Sequence, residues 1–470
     1  MVWDRQSIKS NPRFSRQLIM DVVHLQKGYD LRLAGRPAPE LELEDLPQPA
    51  QVAAVAERLR FVKPRLAVKV GDRVKVGSLL FSDKRRSELQ FRSPGGGTIH
   101  ALNFGPRRRL QEIVVELDVE EPYEPFDRIS ESELRSIDRQ RLVELIIAGG
   151  LWALIRELPF RDAARPETVP PILYVGLDNL EPFHALPEVY LRERRDQMAF
   201  GLRVLARIAG APAVVTACGR RTSNRDHLGD LITRTVAGSY PAHDPGVLLY
   251  RTKTSPGQNH AWFIEGQDVL LIAELLQTGR YPTERVVSLG GPAAAPARHF
   301  RTRIGAPLRA LTRGRTAGGE VRLVLGGVLT GAGAAPESFL GLFDKSLVLL
   351  PEGRKSGPFL GWTLPGADMP SYSRTFLSAF RPPVEHPLDC NRHGGLRACI
   401  QCNFCPQVCP VDILPQLAYK AILAGEIEEA LDHGLLDCVE CGLCAFVCPS
   451  KIDLLQALRE AREKFYDELA

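Results

Sequence analysis

Apolar and polar residues alternate differently along four stretches of this chain, which follow a polar N-terminal extension over residues 1–20. Over 21–125 the apolar runs are short and β-rich, with glycine turns between them. LAVKVGDRVKVGSLLFSDK (66–84) predicts three strands broken at Gly71-Asp72 and Gly77; SPGGGTIHALNFG (93–105) repeats the theme and LQEIVVELD (110–118) closes it. Over 126–255 helical spacing alternates with apolar strands. SESELRSIDRQRLVELIIAGG (130–150) predicts a helix capped by Ser130 and stopped at Gly149-Gly150. PPILYVGLDN (170–179) and APAVVTACG (211–219) predict buried strands on either side of a helix over 189–208. Such alternation implies a parallel α/β unit. Over 256–384 the elements are mixed: a helix at 268–280 and strands at 284–292 and 321–327. A Pro/Gly/His-rich linker covers 381–395, and the remainder, 385–470, is helical apart from its cysteine turns.

The first stretch resembles the barrel-sandwich of biotinyl and lipoyl domains. Lys84 stands near the place of a lipoyl lysine, but the flanking Arg85-Arg86 does not match an attachment loop, so no cofactor is expected there. The Arg107-Arg108-Arg109 cluster reads as a solvated β-turn.

The overall charge adds little. Lys and Arg total 60 against 56 Asp and Glu, too balanced for a nucleic-acid binder. No stretch approaches the roughly 18–20 apolar residues of a membrane span, and the N-terminus has no apolar core of a secretory signal. A cytoplasmic setting is expected, where clustered cysteines bind metal more readily than they form disulfides.

The cysteines change the picture. Eight of ten lie between 399 and 448, as CIQCNFCPQVCP (399–410) and CVECGLCAFVCP (438–449). Each is a complete C-x-x-C-x-x-C-x-x-x-C-P run, the spacing in which three thiolates hold one cubane and the fourth crosses to the other. On that rule Cys399, Cys402, Cys405 and Cys448 hold one [4Fe–4S] cluster, and Cys438, Cys441, Cys444 and Cys409 hold the second. Structural zinc also accepts four cysteines, but it has no use for a terminal Cys-Pro in two copies. The helical spacing between Cys409 and Cys438 suits an α-helical ferredoxin module. Cys218 reads as a core residue at a strand end, and Cys390 has no stated role.

HLQKGYDLRLAGRP (24–37), VKVGDRVKVGSLLFSDK (68–84), GGLWALIRELPF (149–160), GQDVLLIAELLQTGRYPTERVVSLGGP (266–292), EGRKSGPFLGW (352–362) and SRTFLS (373–378) resemble the A subunit of the Na+-translocating NADH:quinone reductase, the NqrA family. The tail departs from it: typical A subunits lack most of the cluster ligands, whereas LLDCVECGLCAFVCPSKIDLLQALREA (435–461) resembles the Rnf C subunit. The resemblance implies a multidomain α+β and α/β chain. It would comprise a barrel-sandwich hybrid (21–125), a Rossmann-like domain (126–255), a β-grasp, SLBB-like domain (256–384) and an α-helical ferredoxin domain (385–470).

The same resemblance implies a peripheral subunit on the cytoplasmic face of the membrane, partnered by integral-membrane and flavin-bearing subunits of a redox pump, with a quinone as a further ligand. The leading expectation is electron relay through the two clusters, with no catalytic residue of the chain's own. Its alternatives are an Rnf-type subunit oxidising NADH on FMN and a non-catalytic scaffold. The Rnf relative carries a glycine-rich loop where IIAGGLWALIRELPF (146–160) stands here; only Gly149 and Gly150 remain, and Trp152 obstructs a phosphate, which speaks against FMN or NADH in this chain. Trp152, Phe160, Trp262 and Trp362 are aromatic candidates for a quinone site but read as core or interface. His243 and His260 flank a segment that departs from the family pattern.

Overall fold

The short strands of the first stretch pair into two small antiparallel sheets. Gln51–Val55, Leu110–Leu117, Gly97–Phe104 and Arg73–Val74 form one, and Pro64–Leu66, Leu79–Asp83 and Gln90–Arg92 the other. Val52, Leu80, Ile99, Ile113 and Val115 are buried in one core. Strand residues alternate in direction, so one face of each sheet fills that core. Lys84 is exposed, and so are Arg107, Arg108 and Arg109. This computed structural model describes residues 21–38, 43–178, 181–210, 214–219, 232–255, 257–354, 377–380, 385–386, 388–392 and 394–469. Trp362 and most of the 352–362 and 373–378 segments lie outside the described residues, as does the side chain of Cys218.

The α/β unit is a seven-stranded sheet. Asp21–His24, Arg234–Ala237, Val214–Gly219, Leu173–Gly176 and Ala261–Glu265 run parallel in that order, followed by Arg156–Leu158 and Asp162–Ala163 antiparallel. Its strands come from beyond the expected 126–255 stretch on both sides, because pairing such as Asp21 with Arg234 leaves no local trace. Parallel strands bury both faces. Helices Arg139–Ala148, Arg195–Ala209 and Gly266–Thr278 contribute to the core on one side. Tyr174, Val236 and Phe263 on the other pack against helix Pro245–Thr252 and against Cys409, Val411, Ile413 and Val439 of the tail.

Two helices expected as single runs are each divided. The 130–150 run forms Glu131–Leu134 and Arg139–Ala148. Ser130 and Glu133 make a reciprocal cap on the first piece, and the Asp138 carboxylate accepts from Gln140 N to begin the second. The 189–208 run forms Pro187–Tyr190 and Arg195–Ala209, interrupted where Glu193 turns left-handed at φ 61°. In both places a local backbone feature overrides continuous helical spacing.

The next stretch contributes most of a six-stranded mixed sheet, ordered Ala332–Ala334, Val321–Leu325, Ser346–Pro351, Glu284–Gly290, Arg298–Arg303 and Leu43–Asp45, with helix Leu308–Thr312 in its core. The tail adds helices Phe404–Val408, Pro415–Ala424, Ile427–Asp432, Leu443–Phe446 and Leu454–Leu469.

A buried ion network locks the six-stranded sheet to the α/β unit. Asp268, fully buried, accepts from Arg285 at 2.7 Å and from Lys345 at 3.0 Å. Lys345 also reaches Glu265 at 2.5 Å, and Glu265 meets Arg156 at 2.5 Å. Nearby, half-buried His184 Nε2 lies 3.1 Å from Gly326 O. Two outcomes follow. Asp268→Asn removes the charge facing two buried cations and should cost about 3–5 kcal/mol in urea unfolding. Burial pushes the His184 imidazole down from 6.5 to about 4. A depressed folded value means that the unfolded chain takes up the proton first, so His184's contribution is complete above about pH 6.5 and is lost as pH falls toward 4. Thermal unfolding across that window should show the loss, and His184→Gln should flatten it.

Candidate metal centre

The two cysteine runs repeat their backbone as well as their spacing. Positions 399, 402, 405 and 409 recur 39 residues later at 438, 441, 444 and 448. In the first, Gln401 (φ 55°) and Asn403 (φ 59°) precede helix Phe404–Val408; in the second, Glu440 (φ 54°) and Gly442 (φ 76°) precede helix Leu443–Phe446. Asp412 and Lys451, each two residues beyond Cys-Pro, share φ 54°. Side chains rarely enter this region without a reason. Here the reversals curl each run into a tight turn, and Glu440 N–H donates to Cys438 Sγ at 3.4 Å.

The eight thiols fall into two neighbourhoods. Cys399, Cys402, Cys405 and Cys448 line one pocket, with Ile400, Asn403, Gln416 and Ile452. Cys409, Cys438 and Cys441 pack into the core beneath the α/β sheet. Burial raises the Cys444 thiol, and Cys444 lies between the two groups, packing with Cys438 on one side and with Cys399, Cys405 and Cys448 on the other. Cys448 thus stands with the first run's triplet, and Cys409 stands with Cys438 and Cys441 of the second. Burial pushes the Cys405 thiol up to about 12 and Cys409 up to about 11, and raises Cys438 and Cys441 as well. Thiols so held give up their protons only to a strong cation, and all-sulfur donors suit soft metals and iron–sulfur clusters. Among the described residues no three His, Cys, Asp or Glu side chains are disposed around a single ion. A cubane instead gives each thiolate a different iron, so its donors surround a volume.

Beside Cys438 lies a charge cluster that sequence reasoning did not single out. Glu440 is buried, with Arg462 at 2.7 Å, Arg60 at 2.8 Å and Arg459 at 3.1 Å. Desolvation opposes its ionisation, yet the arginines hold its carboxyl down at about 2. Arg462, with a side chain shut off from solvent, also donates to Cys438 O at 2.7 Å and to Pro159 O. Arg161 pairs with Asp244 at 2.6 Å, and its charge also acts on Cys438. Tyr240 donates to Cys441 O at 2.9 Å, Arg251 to Pro410 O at 2.5 Å, and Lys253 meets Asp437 at 3.0 Å. One sequence signal pointed to Arg462: it stands four residues past Leu458, on the apolar face of its helix.

Of the aromatic candidates, Trp152 and Trp262 are core and Phe160 lies at an interface, while Trp362 is outside the described residues. Trp152 and Trp262 meet edge to face at 5.8 Å in the core, and Trp152 Nε1 donates to Ala164 O at 2.7 Å. Phe160 packs on Phe465 and Tyr466 of the last helix. His243 lies 3.7 Å from Asp178, and His260 Nδ1 lies 3.3 Å from Leu158 O. Cys390 is half-buried beside the six-stranded sheet and outside both thiol groups.

Four domain families match in succession: the NqrA N-terminal barrel-sandwich hybrid domain over 23–118, the NqrA second alpha/beta domain over 137–281, the NQRA C-terminal domain over 286–335 and the 4Fe-4S dicluster domain over 398–452. The NqrA protein of the Na(+)-translocating NADH-quinone reductase of Saccharophagus degradans is 32% identical over 414 residues, 88% of this chain and 92% of that protein. This chain belongs to the NqrA family. The Hahella chejuensis NqrA protein is 33% identical over 87% of this chain and 91% of its own length, and that of Klebsiella pneumoniae 32% over the same shares. The NqrA relatives are named as parts of an oxidoreductase complex, and this NqrA chain carries a 4Fe–4S dicluster domain. Among solved structures, an NAD+-reducing [NiFe]-hydrogenase is 14% identical, covers 49% of this chain and 52% of its own, and has a TM-score of 0.30, too low to bear on the fold.

The ion cluster in this NqrA chain predicts a stability effect. Glu440→Gln leaves Arg462 enclosed without its counter-charge and should lower unfolding free energy by about 3–5 kcal/mol. Gln401→Glu, at the equivalent exposed position, should change it by less than about 0.5 kcal/mol. Urea titration of both variants checks the contrast.

Proposed function

We propose that this chain is a peripheral electron-relay component of a Na+-translocating NADH:quinone reductase, carrying two [4Fe–4S] clusters in its tail. Cys399, Cys402, Cys405 and Cys448 would hold the first, and Cys438, Cys441, Cys444 and Cys409 the second. The observation that carries this reading is the crossing of each run's last cysteine: Cys448 lines a pocket with Cys399, Cys402 and Cys405, and Cys409 packs with Cys438 and Cys441. When bound, such clusters supply reversible one-electron storage.

The chain's own residues do the rest. The two turns hold their thiols at fixed places on one small helical scaffold. Interlocked donor sets keep the two sites close enough for an electron to pass. The α/β unit supports rather than reacts: bulky Leu151 and Trp152 fill the place where a phosphate-binding loop would need bare backbone, and both are buried. This favours relay over direct NADH oxidation on FMN. No helix among the described residues is long and apolar enough to cross a membrane, so ion transport would fall to integral-membrane partners, with flavin-bearing subunits as electron donors or acceptors and this chain docked on the cytoplasmic side. A quinone ligand is part of the proposal through family likeness, with no pocket assigned to it.

The test is anaerobic reconstitution of the full chain with iron and sulfide, followed by EPR on reduction. Two reducible centres should appear, and Cys405→Ser should abolish or alter one signal while leaving the other. Loss of neither signal would refute the ligand assignment. Stoichiometric FMN that NADH reduces in the gently purified chain would overturn the relay reading in favour of an electron-input enzyme.

A further inference from the structure

The two cysteine runs share spacing and backbone but not electrical surroundings. The first pocket is lined, besides its cysteines, by Ile400, Asn403, Gln416, Ser450, Ile452 and Leu454, none of them charged. Ile400 is strongly exposed, so this site stands near the surface. The second site is embedded among the other domains and faced by cations. Arg161 and Lys253 line a cavity with Cys438, and Arg462 lies against Cys438 O from the opposite element. Around that site Lys27, Arg60, Arg161, Arg251, Lys253, Arg459 and Arg462 oppose Glu440, Glu463, Asp244, Asp412 and Asp437, seven cations against five anions, which leaves two cations in excess. The repeat provides its own control: neutral, exposed Gln401 occupies the register that buried Glu440 and its arginines occupy 39 residues later.

We propose that Arg161, Arg462 and Lys253 make the second, embedded site the more easily reduced of the pair, so that electrons arriving at the first, near-surface site settle at the second. The inference rests on the relay reading. One electron leaves the first site and one reaches the second; no bond is made or broken, and the electron comes originally from an external one-electron reductant. Two effects compete. Burial disfavours added negative charge at the second site, whereas fixed cations favour it. The cations prevail because the same low-dielectric surroundings that penalise the charge leave their field unscreened by water or salt. Arg462, with its side chain fully enclosed, cannot turn away. These are positioning residues that act through the surroundings of Cys438 and touch no substrate.

The experiment is a potentiometric titration of the reconstituted full chain with dithionite, followed by EPR. Signals are assigned from chains lacking one site, Cys402→Ala/Cys405→Ala for the first and Cys441→Ala/Cys444→Ala for the second. The signal retained in the first variant should have the higher midpoint potential and fill first in the native chain. Arg161→Gln should shift that midpoint downward and leave the other unmoved, and Arg161→Lys should largely restore it. Because Arg161→Gln strands Asp244, Lys253→Gln provides a second arm and should shift the same midpoint in the same direction. Equal midpoints, the reverse order, or shifts that move both sites alike would overturn the inference while leaving relay intact. Two sites that dithionite cannot reduce would defeat both readings.

Discussion

A carboxylate stays ionised out of contact with water only when cations surround it, and Glu440 satisfies that condition through residues far apart in sequence. Arg60 comes from the barrel-sandwich, Arg459 and Arg462 come from the last helix, and Arg462 extends the link to Pro159 of the α/β unit. One side chain inside the second cysteine run therefore ties three parts of the molecule to a candidate cluster site. The arrangement has a cost, because buried ion networks contribute less to net stability than their contact distances suggest. What they supply here is register: the last helix can satisfy Arg462 in only one position, and that position sets the Cys438 turn against the α/β unit. Tyr466 fixes the same helix further along, donating to Asp162 and packing on Phe61 at 4.0 Å.

The tail is consequently part of the fold rather than an appended module. A parallel sheet needs cover on both faces, and in this chain the second face of the α/β sheet is closed partly by Val411, Ile413 and Val439 from the cysteine segments. Leu443 and Phe446 meanwhile pack against Leu329 and Val348 from the third stretch. Residues adjoining the candidate ligands are also the residues that fill this shared core, so the conformation of the cysteine runs and the packing of the domains depend on one another.

Much of this was legible in sequence, and the losses have specific physical causes. The apolar alternation of 66–118 and the two C-x-x-C-x-x-C-x-x-x-C-P runs were local patterns, and local patterns can be read directly. The seven-stranded sheet was only half legible: the strand at 21–24 pairs with 234–237, and nothing near either segment announces the other. The helix interruptions at 135–138 and 191–194 were hidden by continuous 3.6-residue spacing, although Asp138 was a capping residue in plain view. Arg161, Asp244 and Tyr240 could not have been found, because their significance comes entirely from what the tail brings next to them. Glu440 was visible inside its run, but its role depends on arginines as far as 380 residues away.

The contrast between the two runs bears most directly on how the chain works. Identical spacing and matching left-handed turns repeat the donor pattern, so what distinguishes the two runs is Glu440, where the first has Gln401, and the groups that the rest of the fold brings against each. At the first, that environment is neutral and near the surface; at the second, it consists of charged groups delivered by the rest of the fold. By burying one half of an approximately repeated unit and leaving the other near solvent, the fold gives two near-identical cysteine turns different surroundings, one outer and one inner.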